Sequence, residues 1–273
     1  MKNKLFLLSI LVMMLVVACT TNAITGRSQL SLVSDEQMQQ MAVTEYKQFL
    51  SENKVVSSTQ SKDAEMVKRV GSRIASAVTS FYRGKGIANE LQNYQWEYNL
   101  VNSNQVNAWC MPGGKIVVYT GILPVSQNEA ALAVVVGHEV AHAVLKHGSE
   151  RMSQGLVQQL GGVALSVALA NKPAETQNMF MQAYGLGSSV GAILPHSRKQ
   201  ELEADRYGLI YTALAGYNPR EAVPLWQRME AMGNGQQKPP EFLSTHPAEQ
   251  TRIQKLQEQM PEALKYYKPM ASR

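Results

Sequence analysis

The sequence predicts an α+β fold, mainly helical, with a small β-sheet beside one central helix. Two observations carry this expectation. Apolar residues recur at helical spacing through most of the chain, whereas between Trp96 and Thr120 the pattern changes to alternating and β-branched runs. Helix-start signals, a Ser with Gln or Glu three residues on, open three of the helical stretches. The length of 273 residues, 45% hydrophobic and 17% charged, suits one sizeable core and is short for two.

Taken in order, Lys2 and Lys4 precede the apolar run "LFLLSILVMMLVVA", which ends at Ala18 directly before Cys19. A charged start, an apolar stretch too short to span comfortably and a small residue at the end are the marks of a signal peptide, here 1–18. "VVAC" also resembles the bacterial lipobox, which implies lipidation of Cys19 and a membrane anchor at the mature N-terminus. Thr20 stands where an Asp would signal inner-membrane retention, so the resemblance points to the outer membrane, facing the periplasm. The polar, turn-rich residues 19–34 read as a tether. A domain then runs over 35–262, followed by a tail, 263–273.

Within that domain Ser34 and Gln37 open a first helix, and "AEMVKRVGSRIASAV" supplies a second with one apolar face. "WEYNLVN" and "KIVVYT" read as strands around the turn "MPGG". Ser126 and Glu129 make a capping box that opens the apolar helix "NEAALAVVVGHEVAHAVLKHG", with Gly148 as its stop. Two weakly polar stretches between Met152 and Pro195 read as core helices, or alternatively as a hairpin touching membrane or substrate. Ser197 with Gln200, Asn218-Pro219 and "THPAEQTRIQKLQEQM" start the remaining helices.

The net charge of +5, or +3 without Lys2 and Lys4, is too small and scattered to argue for nucleic acid. With Cys19 lipidated, Cys110 is the one remaining thiol and an intramolecular disulfide is ruled out. Cys110 reads as a buried strand thiol, with coordination of zinc in a latent form as the alternative.

Chemistry concentrates in "GHEVAHAVLKHGSE", residues 137–150. His138 and His142 lie one helical turn apart and can bring two imidazoles to a single ion, with Glu139 beside them. Zn²⁺ accepts neutral imidazole nitrogens, and a catalytic site keeps three protein ligands and one open position. Glu139 suits a general base and not a ligand. A third histidine in the metzincin register is absent, because Leu145 and Gly148 occupy those positions and His147 is out of register. "ELEAD", 201–205, offers Glu201 as the ligand and Asp205, on the same face, to orient a histidine; Glu203 lies on another face and is the weaker candidate. His147 and His196 sit near the ends of elements and read as capping or exposed residues.

HExxH, then "ELEADRYG", then "THPAEQTRI" resembles metallopeptidase family forty-eight, the CAAX prenyl protease, HtpX and Oma group, over most of residues 35–260. "TGRSQLSLVS" is similar to the entry sequence of its lipoprotein-type bacterial members. The resemblance implies a zincin-like (gluzincin) fold, one Zn²⁺ on His138, His142 and Glu201, Glu139 as general base and acid, and Asp205 as the motif's closing aspartate. It further implies an edge strand near Asn107–Met111 that pairs with extended protein substrates, here misfolded or misassembled envelope proteins. "NAWCMPGG" departs from the family's usual "NAFALPGG" at Trp109 and Cys110. His246 can approach the zinc as an inhibitory or transition-state group, or simply start a helix before Pro247. Arg252 can stabilise an oxyanion or form a salt bridge. The competing reading is a latent, chaperone-like or binding lipoprotein whose zinc site is blocked.

Overall fold

The computed structural model describes residues 19–160, 173–184, 197–233, 240–246 and 250–269. Residues 1–18, on which the signal-peptide expectation rests, His196 and much of the 152–195 region lie outside the described residues.

Strands β1 (Cys19–Thr21) and β2 (Ser28–Leu30) form an antiparallel hairpin, and helix α1 (Asp35–Glu52) follows it. Ser34 and Gln37 close the expected capping box at its start. After β3 (Val55–Val56) and helix α2 (Lys62–Gly84), β4 (Glu97–Val101), β5 (Ala108–Met111) and β6 (Lys115–Tyr119) complete a sheet in the order β3-β4-β6-β5. β4 and β6 run parallel, with Glu97 opposite Lys115, while β5 is the antiparallel edge strand. Gly113 and Gly114, at φ 79° and 82°, make the turn between β5 and β6 in a backbone region that only glycine enters freely.

Alternation along β6 explains its unbroken apolar run. Ile116 and Val118 enter one core cluster, while Val117 and Tyr119 enter a second with Met38, Tyr46 and Trp109, so the sheet is covered on both faces. Helix α4 (Glu129–Val144) packs on the first face, and its residues from Ala131 to Val144 are all buried. After a short helix, α3 (Leu123–Ser126), Gln127 at φ 66° ends the turn. The N-cap of α4 is therefore Asn128, whose side chain accepts from Ala131 N at 2.8 Å, and not Ser126. Ser126 bonds back to the carbonyls of Ile122 and Leu123, and Glu129 pairs with Arg69.

Nor does Gly148 stop this helix. The chain reverses at Lys146, φ 60°, and Gly148 lies inside α5 (His147–Leu160), where a Cβ would strike the Tyr184 ring. α5 and α6 (Pro173–Ala183) bury Met152, Leu156, Met179 and Phe180 in the second cluster, as core helices do. No helix among the described residues is long and apolar enough to cross a membrane.

Residues 19–34 are more than a connector. Asn22 and Gln29 both donate to the Leu145 carbonyl, at 3.0 and 2.9 Å, and Tyr207 donates to Ile24 O. Polar side chains of the expected tether thus satisfy a buried carbonyl just past the C-terminus of α4.

Helix α7 (Arg198–Leu214), capped by the Ser197–Gln200 box, lies directly against α4. The contact is backbone on backbone at two glycines: a Cβ on Gly208 would come within 3.0 Å of His138 Cα, and one on Gly137 within 2.9 Å of Gly208 O. Helices α8 (Ala222–Gly233), α9 (Glu241–Thr245) and α10 (Gln250–Leu264) close the core around this pair.

Candidate metal centre

The glycine contact sets what the two helices can share. With α4 and α7 this close, His138 and His142 on one meet Glu201 and Asp205 on the other, one turn apart on each. His138 Nε2 lies 3.0 Å from His142 Nε2 and 3.5 Å from Glu201 Oε2, and His142 Nε2 lies 3.3 Å from Glu201 Oε1. His246, at the end of α9, adds Nδ1 at 3.2 Å from His138 Nε2 and 2.9 Å from Glu201 Oε1. One donor atom from each of the four lies within 4.8 Å of every other, and all four residues are buried.

Charge and hydrogen bonding aim these atoms inward. His138 Nδ1 is 3.0 Å from Asp205 Oδ1, which fixes the ring and turns Nε2 into the cluster. Arg252 bonds Asp205 through Nε and Nη2, at 2.7 and 2.8 Å, and reaches Glu201 Oε2 through Nη1 at 2.6 Å. Its guanidinium also stacks on Trp226, 3.7 Å from the ring centroid. Burial alone would raise both carboxylates, but Arg252 holds Asp205 below its ordinary range and Glu201 well below. Burial disfavours a charged His138, yet hydrogen bonds to Asp205 and Glu201 push it up to about 9. His142 is pushed well below its usual value by burial and stays neutral. Both carboxylates thus favour positive charge at the centre.

Glu139 stands apart from this set. Burial raises its pKa, and its Oε1 is buried with no hydrogen-bond partner among the described residues, His246 Nε2 being 3.5 Å away. Arg252 is spent on Asp205 and Glu201, as the salt-bridge alternative requires, and the bridge is buried. Cys110 is buried in β5, its thiol pushed well up by burial, and is not in the donor cluster.

The sequence gives no sign of what His147 and Glu203 do. His147 is fully buried, with Nδ1 2.9 Å from His142 Nδ1 and Nε2 3.0 Å from Glu203 Oε2. Glu203 does not approach the donor cluster and binds His147 and Arg27 instead. The spacing of five between His142 and His147 belongs to no helical face. Only the reversal at Lys146 brings the rings together.

The donor set fits a divalent cation. A tetrahedral ion with bonds of about 2.0–2.1 Å separates its ligands by roughly 3.3–3.4 Å, and the spacings above fall around that edge. Two imidazole nitrogens and a carboxylate, converging at a buried point beside Glu139, whose Oε1 makes no hydrogen bond among the described residues, define a metallopeptidase of the HExxH-plus-carboxylate class.

The chain belongs to Peptidase family M48, whose sequence model matches residues 61–260. It is similar to the human "Metalloendopeptidase OMA1, mitochondrial", 34% identical over 250 residues, or 89% of this chain and 46% of that one. The "Mitochondrial metalloendopeptidase OMA1" of Schizosaccharomyces pombe is 35% identical over 173 residues, 63% of this chain and 49% of the relative. The "Beta-barrel assembly-enhancing protease" of Escherichia coli strain K12 is 25% identical over 165 residues, 58% of this chain and 33% of the relative. The chain spans about half or less of the length of these relatives.

Proposed function

We propose that the protein is a zinc-dependent metalloendopeptidase that hydrolyses peptide bonds of cell-envelope proteins, held at a bacterial membrane through a lipid on Cys19. The observation that carries this reading is the convergence of His138 Nε2, His142 Nε2 and Glu201 at ligand-edge separations beside Glu139. The relatives, metalloendopeptidases and an assembly-enhancing protease by name, support the substrate class. Cys19 is exposed at the start of β1, which suits an anchor there.

In this reading His138, His142 and Glu201 are the ligands. A Zn²⁺ held there supplies Lewis acidity, lowering the pKa of a water and polarising the scissile carbonyl. Glu139 accepts the proton of the attacking water and delivers it to the leaving amine, a role suited to a carboxylate with a raised pKa. Asp205 orients His138, and Arg252 keeps Asp205 and Glu201 ionised. β5, the edge strand of the sheet, would take an extended substrate as an added strand.

One observation favours a second reading, latency. His246 Nδ1 lies within the donor cluster, where substrate and water need room, and Phe242 of the same helix donates its N–H to Val106 O just before β5. Casein hydrolysis by the purified chain, abolished by a chelator and by Glu139→Gln, tests the main reading. Activity that rises in His246→Ala marks a latent enzyme, while stoichiometric zinc with no turnover in either form supports the binding-protein alternative.

A further inference from the structure

Each histidine of the HExxH pair needs its second ring nitrogen held, because a ligand ring is oriented from behind. His138 has Asp205 for this purpose. His142 meets another imidazole at its Nδ1, that of His147, at 2.9 Å.

The donors and acceptors of that chain determine one another. Arg27 can only donate, and its Nε and Nη2 bond Glu203 at 2.7 and 3.0 Å while its Nη1 and Nη2 bond Glu150 at 2.6 and 2.8 Å. An ionised Glu203 can only accept, so the 3.0 Å contact to His147 requires a proton on His147 Nε2. His147 Nδ1 is then the acceptor, and the proton between the two rings belongs to His142 Nδ1. His142 Nε2 is left with its lone pair directed at the cluster. His147 is fully buried, so no water can substitute for either partner.

We infer that Glu203 and His147 are positioning residues for the metal ligand His142, and that Arg27 on the N-terminal hairpin locks their arrangement. This rests on the metallopeptidase reading above. The hairpin also holds the end of α4, because Asn22 and Gln29 donate to Leu145 O immediately before the reversal at Lys146. Residues a few positions from Cys19 therefore act on the geometry of the centre through one imidazole and one carboxylate. The arrangement gives the hairpin a functional reason to be docked.

The test uses the full chain and zinc itself, with affinity measured by chelator competition and the ligand field read from the visible spectrum of the cobalt(II) form. Glu203→Ala is expected to weaken zinc binding roughly ten- to a hundredfold. It should also shift the cobalt bands and lower kcat with little change in KM. Glu203→Gln keeps an oxygen that accepts from His147 Nε2 and recovers most of the affinity. Arg27→Met, which leaves Glu203 in place, gives a smaller loss in the same direction and covers the case in which Glu203→Ala does not fold.

Wild-type affinity and an unshifted cobalt spectrum in both Glu203→Ala and Arg27→Met overturn the inference. So does an equal loss in Glu203→Ala and Glu203→Gln, which marks charge and not orientation as the cause. A wild-type chain that binds no zinc defeats the functional reading and this inference together. Glu139-dependent hydrolysis by a zinc-loaded wild type, with Glu203→Ala indistinguishable from it, defeats this inference alone.

Discussion

Replacing Gly208 by alanine adds one methyl group at the point where α4 and α7 touch. Its Cβ would lie 3.0 Å from both His138 Cα and His138 N and 3.2 Å from Gly137 C. Carbon atoms rest at about 3.5–4.0 Å, so the helices must separate by roughly half an ångström. All three neighbours are backbone and none can swing aside. Overpacking of this kind costs about 1–3 kcal/mol, offset by about 1 kcal/mol from the better helix propensity of alanine. The net, about 0–2 kcal/mol, corresponds to a Tm fall of at most about 8 °C at roughly 2–4 °C per kcal/mol.

The effect on metal binding should exceed the effect on stability, because the displaced residue is His138, already 3.5 Å from Glu201 Oε2. Differential scanning calorimetry and chelator competition measure the two. Gly84→Ala is the control, since a Cβ there meets nothing within 4 Å. A Gly208→Ala protein with unchanged or raised Tm and wild-type zinc affinity would refute the claim that backbone contact between these helices builds the centre.

Asp205→Asn takes one of the two carboxylates from buried Arg252 while Glu201 still pairs with it, so the cost should stay below the about 3–5 kcal/mol of a fully broken buried pair, to be read from urea unfolding of the metal-free chain. Asn128→Ala should cost about 0.5–2 kcal/mol in the same assay, whereas Ser126→Ala, which removes no cap, should cost less. Arg27→Met should lose stability in a pH-dependent way. Burial raises Glu150, but hydrogen bonds from Arg27 and Gln200 hold it below its ordinary value in the folded chain. Its contribution is therefore complete above the unfolded value of about 4.3 and is lost as pH falls through the lowered native value. The stability gap between wild type and Arg27→Met should accordingly narrow below that pH in urea titrations.

How far the site was legible depended on whether its geometry is local. His138, Glu139 and His142 sit on one helix, and the helical period alone relates them. Glu201 and Asp205 could be paired with them because both lie on one face of a second helix. The close approach that unites the helices, at Gly137 and Gly208, has no local signature beyond two glycines in helical sequence. His147 was read as a terminal residue, because the positive φ at Lys146 that folds it back cannot be seen in a run such as "HAVLKHG". The Ser126 box failed for a related reason: Asn128 competes for the same helix start, and a left-handed Gln127 decides between them. Arg27, Asn22 and Gln29 looked like tether chemistry because their partners lie more than a hundred residues away.

Zinc content of the purified chain, measured after dialysis against metal-free buffer, decides whether His138, His142 and Glu201 hold the metal. One zinc per chain is expected in the wild type and in Glu139→Gln, and none retained in His138→Ala or Glu201→Ala. Zinc retained by both ligand variants, or lost from Glu139→Gln, would contradict that assignment.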